Sequence, residues 1–507
     1  MTQVHQRGKT GHLLAMTLTP ALYVALAWLW SGRGEVIDDE GLLAKLGAQL
    51  VAAHPLDGLF ALKLHPLASA ALAPVADLSW QTWRWLHVAF GGLAVALLTD
   101  AARSLSRRAW LAGLVMACSP ALVVSGAAGQ GNAVGVLVQC AALWLAARGR
   151  RGGFALAVGA LPFFRAELAL VSALGALFAL WRWPGRRRST FALTLTVPTL
   201  YWLGGALYHS DPLFPIHYPP SPTQGVPHND IYGFPPTLTA SLLLTLQYIG
   251  YVCAVWPLAF GRRLRARAPL GRLAVACGGL SVVALTFVPL TGGFADVPWP
   301  RYLLLALPGL ALSVAEVSPN RYVAGVVAGV VTLAAGWVLT SANQPIPFAG
   351  ALERPDVGEL AEKIHAQNAK TTVYTPNMAL AFALERRTHP TRFVPSHDVH
   401  YELWGLLNRG NGQYHRLVQA VGEKYYGGVT WPCEFRRLDT GETAIWVNEQ
   451  DVRHQLFKTP PVGSKAPCER VGRFEVCRGL QRPVSQPWSE VLDEAIMSGP
   501  CANLHGH

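Results

Sequence analysis

Ten apolar runs, each close to the length that crosses a bilayer, divide residues 1–341 of this chain. They fall near 13–30, 83–101, 109–127, 132–147, 153–182, 190–208, 237–260, 273–291, 302–317 and 322–341. A chain so patterned must satisfy its backbone inside each segment, so helices crossing a membrane are the expected solution. The run at 153–182 is too long for one ordinary span, and "LPFFRAELAL" interrupts it with Pro162, Arg165 and Glu167. Basic clusters flank it, "RGRRGG" before and "WRWPGRRRS" after. With both on the cytoplasmic side the chain must enter and return. Two short helices meeting near Arg165 then bring the spans to about eleven.

Charge tests this threading. Residues 1–341 hold 24 Lys and Arg against 12 Asp and Glu, while 342–507 hold 18 of each. The whole net charge of +12 therefore belongs to the apolar part, which argues against a nucleic-acid-binding surface and for membrane topology. Connections at 1–12, 102–108, 148–152, 183–189, 261–272 and 318–321, with the adjoining helix ends, carry 18 of the 24 bases and only Asp100 and Glu316 among the acids. The other side receives Arg33, Lys45, Lys63, Arg84, Arg165 and Arg301 together with the other ten acids. The N-terminus is thus expected in the cytoplasm, with 13–30 an uncleaved anchor. An odd number of spans places everything after 341 outside. The expected protein is a multi-pass inner-membrane protein with a periplasmic C-terminal domain.

Cysteine usage fits that placement. Cys118, Cys140, Cys253 and Cys277 lie in the apolar runs, where a thiol behaves as a small hydrophobe. Cys433, Cys468, Cys477 and Cys501 lie in the tail, enough for two disulfides in three alternative connectivities. The tail, 342–507, reads as a small α/β domain. "DVGELAEKIHAQ" and "NMALAFALERR" have helical periodicity, and "TTVYTP" and "TRFVP" are strand-like. "FRRLDTGETAIWVNEQ" is expected to form a hairpin turning at Thr440-Gly441, and residues after 479 a loop. The long outward connection 32–82 is patterned as interfacial amphipathic helices. The proline-rich connection 209–236 suits a lid.

Four groups of residues could carry chemistry. Asp38, Asp39 and Glu40 stand together after the first run. Such a triplet can supply a general base or bind a divalent cation, and helix capping explains one acid better than three. Lys63 and His65 in "LKLHPL" could meet an anionic head group, or Lys63 could simply snorkel. Arg165 and Glu167 sit at the break of the fifth run, where ionisable residues are costly and mark function. Guanidinium matches phosphate bidentately, which favours Arg165 as a phosphate ligand over a purely structural pair. Arg301 and Tyr302, in "VPWPRYLLLALPGL", open a late span as an interfacial anchor or a second phosphate ligand.

In this order the pieces resemble the GT-C class of membrane glycosyltransferases, which includes protein O-mannosyltransferases and the lipid A aminoarabinose transferase. "DDEG" stands where that class has an acidic Asp-Glu pair after its first span, here Asp39-Glu40. "KLHPL" matches a Lys-containing element ending the first outer loop, with one proline where the pattern has two. "RAE" matches a mid-chain Arg-x-Glu, and "RYLLLALPG" an "RY…P" motif opening a late span. An extracytoplasmic α/β domain follows the last helix in that class.

The resemblance implies transfer of a sugar from a polyprenyl-phosphate donor to a protein, lipid or glycan acceptor on the outer face. Asp39 or Asp38 would be the base, beside Glu40. Lys63, His65, Arg165, Arg301 and Tyr302 would bind the donor phosphate, with Glu167 orienting Arg165. The lipid-linked donor carries no nucleotide, in keeping with the lack of a Gly-rich phosphate loop. Neither a cofactor nor a metal is required, although the triplet leaves a divalent cation open. A transporter and a lipid-modifying transferase that moves no sugar remain the alternatives. Sugar and acceptor depend on scattered loop contacts that one sequence does not identify.

Overall fold

A computed structural model describes residues 2–31, 44–45, 47–48, 51–52, 55–61, 65–76, 78–106, 108–214, 238–260, 269–287, 300–317 and 321–340, with short stretches of the tail between 362 and 483. The chain divides into two compact units, one of residues 1–45 and 63–350, the other of 46–62 and 351–507.

The first unit is helical. Its helices are α1 (Thr2–Ser31), α2 (Pro66–Leu72), α3 (Trp80–Ala102), α4 (Trp110–Ala117), α5 (Pro120–Ala127), α6 (Asn132–Ala147), α7 (Arg151–Phe164), α8 (Ala169–Arg182) and α9 (Arg187–His209). They continue with α10 (Leu238–Val252), α11 (Trp256–Phe260), α12 (Pro269–Phe287), α13 (Pro300–Leu303), α14 (Leu307–Val317) and α15 (Arg321–Thr340). Helical segments thus occupy every apolar run. Among the described residues four are long and apolar enough to cross a membrane: Leu14–Ser31, Gln81–Ala102, Pro184–His209 and Pro269–Phe287. The pair α4 and α5 makes a fifth candidate, bent by 58°. Pro120 causes that bend, because the residue before a proline is driven out of the helical region, and Ser119 is extended. Ser119 also caps α5, accepting from the Leu122 amide.

Large apolar side chains cover the outside of this unit. Leu177, Leu200, Leu207, Tyr322 and Leu333 are all at least 64% exposed. Such a surface is a liability in water and matches an apolar surround. Within the unit, small residues let helices approach closely. A Cβ on Gly159 of α7 would lie 2.0 Å from the Thr194 carbonyl oxygen of α9, and one on Gly309 of α14 would lie 2.5 Å from the Ala274 carbonyl oxygen of α12. Hydroxyls add cross-links: Tyr23 of α1 donates to the Leu122 carbonyl at 3.3 Å, and Ser119 to that of Val252 at 2.7 Å.

Among the described residues, two groups of connections stand at opposite ends of helix α6, which is 16 residues or roughly 24 Å long. One end holds Ala44, the start of α2, the loop between α5 and α6, and the break between α7 and α8. The other holds Asp100, which accepts from Trp144 at 2.7 Å and pairs with Arg148, and the start of α7, where Arg151 donates to Ser189 at 2.6 Å.

The second unit carries nine short strands in its described part. β1 (Val373–Thr375) pairs in parallel with β2 (Thr391–Phe393), as a strand–crossover–strand unit requires. The expected hairpin is corrected in one respect. β3 (Phe435–Arg436) does pair antiparallel with β5 (Val447–Asn448), but β4 (Glu442–Ala444) between them pairs with β6 (Lys458–Pro461). Alternation reports that a residue lies in a strand, not which strand it joins. β7 (Cys468–Val471), β8 (Phe474–Cys477) and β9 (Leu480–Pro483) form an antiparallel meander, so residues 480–483 are a strand where a loop was expected. A π-helical turn at Asp57–Ala61 belongs to this unit as well.

Candidate active site

The site grows from the break in the fifth apolar run. Helix α7 ends at Phe164, and Arg165 takes an extended conformation, φ −155° and ψ 126°. A single 3-10 turn, Ala166–Leu168, then leads into α8. Leaving helical geometry at Arg165 turns its side chain inward, where it is 1% exposed. Its guanidinium grips Glu167 with two hydrogen bonds, Nε to Oε2 at 3.1 Å and Nη2 to Oε1 at 2.7 Å. Spacing of i and i+2 would point two helical side chains apart, and the irregular backbone is what lets this pair close.

Helix α6 presents glycines to this arginine. A Cβ on Gly135 would lie 2.8 Å from Arg165 Cγ and 3.5 Å from Leu305 Cδ2. One on Gly131 would lie 4.0 Å from Arg165 Nη1 and 3.7 Å from the Ala44 Cβ. The loop 128–131 is therefore a wall of the site, and it is held firmly. Trp83 donates from Nε1 to the Gly129 carbonyl at 3.1 Å, Arg84 donates to that of Ala127, and Gly129 adopts φ +69° against the Trp83 ring. Gln130 and Asn132, both buried, meet at 3.5 Å.

His65 reaches the same place from the first long connection. It precedes Pro66 at the start of α2 in the left-handed region, φ 50° and ψ 52°. Histidine there is strained, and Pro66 accounts only for its exclusion from the right-handed helix. Its imidazole lies within electrostatic range of the Glu167 carboxylate. Lys45, close to Ala44, is buried and donates to the Leu78 carbonyl at 2.7 Å.

Arg165, Glu167 and His65 thus come together. Arg301 stands one helical turn before Leu305, which touches the same face of α6, and its guanidinium covers the Tyr302 ring at 5.2 Å. Arg301 Nη2 approaches the Tyr302 hydroxyl at 3.4 Å. Asp38, Asp39, Glu40 and Lys63 lie outside the described residues, as do Cys433 and Cys501. Of the 209–236 segment, the described residues 209–214 fold back on α9. Trp202 donates to the Pro212 carbonyl at 2.8 Å, and Phe214 is buried against Gly205. Among the described residues no three His, Cys, Asp or Glu form a metal-binding cluster.

Sequence reasoning missed Trp83, Arg84, Gln130 and Asn132. The signal was present in "GQGN", a polar tetrapeptide between two apolar runs. A short turn between spans, however, has the same composition whether or not it lines a site.

No family model matches the sequence, and no curated protein matches it. Solved structures similar to the chain include two of one protein. ArnT from Cupriavidus metallidurans in the apo state is 17% identical with a TM-score of 0.47, over 75% of this chain and 87% of that one. The same protein bound to undecaprenyl phosphate is 15% identical with a TM-score of 0.47, over 79% of this chain and 91% of that one.

Proposed function

We propose that this chain is a membrane glycosyltransferase that moves a sugar from a polyprenyl-phosphate donor to an acceptor at the outer face. The observation that carries the proposal is the buried Arg165–Glu167 pair with His65 in electrostatic range, at a helix break beside Gly131 and Ala44. A purely structural pair would not need a strained histidine brought from a hundred residues away. Chain connectivity supports the remaining assignments. Asp39 is five residues from Ala44, a reach of about 18 Å at most, and Lys63 is two residues from His65.

In the proposed reaction the acceptor hydroxyl attacks the anomeric carbon of the donor sugar. The bond from that carbon to the phosphate oxygen breaks, and the polyprenyl phosphate leaves with the electron pair. Asp39, or Asp38 beside it, takes the hydroxyl proton, with Glu40 completing the acidic face. Arg165 and Lys63 bind the donor phosphate and offset the negative charge that builds on it, with His65, Arg301 and Tyr302 completing that pocket. Glu167 holds the Arg165 guanidinium in one orientation. Residues 1–341 form the catalytic membrane domain with about eleven spans, and 342–507 an extracytoplasmic α/β domain.

The register of the β7–β8 hairpin supports one disulfide pairing over the others. Cys468 is the direct partner of Cys477, three positions from the Val471–Phe474 pair that flanks the two-residue turn. Alternation from that turn puts Cys468 and Cys477 in a non-hydrogen-bonded pair, where the Cα separation of about 4.5 Å falls in the disulfide range. Of the three connectivities open to the four tail cysteines, the hairpin register favours the one that pairs Cys468 with Cys477.

The test is transfer from a synthetic polyprenyl-phosphate sugar by purified protein. Asp39→Asn and Asp38→Asn, assayed singly and together, are expected to abolish transfer while the protein elutes from size exclusion as the wild type does. Full activity in both single variants and the double would overturn the assignment of the base. Wild-type protein that retains no polyprenyl phosphate by mass spectrometry would overturn the donor.

A further inference from the structure

At the end of the first unit away from Arg165, a second basic cluster lines an open cavity of about 610 Å³. Its walls are Arg151 at the start of α7, the 3-10 turn Pro184–Arg186, and Arg187, Arg188 and Ser189 in the first turn of α9. Topology accounts for arginines at a membrane surface, but not for four of them around one hollow. Arg151 is fixed there, donating from Nη1 to Ser189 Oγ at 2.6 Å and to Thr190 Oγ1 at 3.3 Å. Arg186, Arg187 and Arg188 pair with no carboxylate among the described residues. Three adjacent guanidinium groups repel one another, and an anion in the cavity would offset that repulsion.

The surroundings narrow the class of anion. Phe191 and Leu195 follow the basic turn on α9, and Leu177 and Trp181 precede it on α8, each at least 40% exposed. A ligand whose phosphate fills the cavity would thus lie next to apolar surface that accepts acyl chains. We propose that this cavity binds the phosphate head group of an anionic phospholipid, through Arg186, Arg187 and Arg188 with Arg151 and Ser189 as fixed walls. The site is separate from the proposed glycosyl-transfer site and does not depend on it.

Full-length protein is reconstituted into phosphatidylcholine nanodiscs containing cardiolipin as a minor component, and the lipid retained is read by native mass spectrometry. Each arginine facing an anionic head group contributes about fivefold, so R187Q/R188Q should lower cardiolipin retention by about 25-fold. R182Q removes an exposed positive charge on α8 that does not line the cavity, and should lower it by less than about twofold. Millimolar inorganic phosphate should leave the retained lipid unchanged. If R187Q/R188Q does not fold, the single variants carry the same comparison at about fivefold each. Retention equal to wild type in the cavity variants, or an equal loss in R182Q, overturns the site. Displacement by inorganic phosphate overturns the lipid as its ligand.

Discussion

At the scale of single residues, the energetics of the site turn on Arg165 and Glu167. Both side chains are almost wholly out of solvent, 1% and 4% exposed, so each is tolerated only because the other is present. Removing one partner of such a pair strands a buried charge, at a cost of about 3–5 kcal/mol. Arg165→Ala should therefore lower the thermal midpoint in detergent and weaken donor-lipid binding more than acceptor binding. The double variant Arg165→Met with Glu167→Leu should recover most of the lost stability without recovering transfer. Calorimetry beside a transfer assay checks this, and recovery of both properties would assign the pair to structure alone. His65 bears differently on stability. Its left-handed backbone favours glycine by about 1 kcal/mol, so His65→Gly should hold or raise the thermal midpoint while reducing transfer. Wild-type turnover in that variant would remove the imidazole from the site.

At the scale of elements, glycine positions separate helix contacts that are closed from faces that are open. Gly159→Leu would drive a side chain into the α9 backbone, which cannot retreat as a flexible side chain would, and should cost more than about 3 kcal/mol. Gly329→Ala, with no atom within 4 Å of the added carbon, should leave the thermal midpoint unchanged or slightly raised. Equal losses in the two variants would mean that α7 and α9 do not approach as described. In the tail, peptide mapping of unreduced protein is expected to recover Cys468 linked to Cys477. Linkage of either to Cys433 or Cys501 would mean that the hairpin register is wrong. Elements also show where sequence patterning worked. Proline and paired ionisable residues at 162–167 forecast an interrupted helix, and α7 and α8 meet there. Patterning could not forecast that β4 joins β6, because strand alternation carries no information about the partner.

At the scale of the whole molecule, the charge asymmetry predicts a topology that labelling can test. A membrane-impermeant maleimide applied to intact cells after mild reduction should modify Cys433 and Cys501, while Ser106→Cys should react only after permeabilisation. The opposite pattern would invert the chain and move the acidic triplet to the cytoplasm. What the amino-acid sequence determined by itself is where the apolar helical segments fall, the break at Arg165 and the sorting of bases from acids along the chain. All three follow from local hydropathy and from charge counted along the chain, and neither needs a folded neighbour. Tertiary structure alone decided that His65 approaches Glu167, that the 128–131 loop walls the site, and that Arg151 and Arg186–Arg188 share one cavity. Those meetings join residues 34 to 102 positions apart through helix faces whose apolar composition is nearly uniform. In such helices the partner is chosen by small residues and hydrogen bonds between packed backbones, which periodicity does not encode.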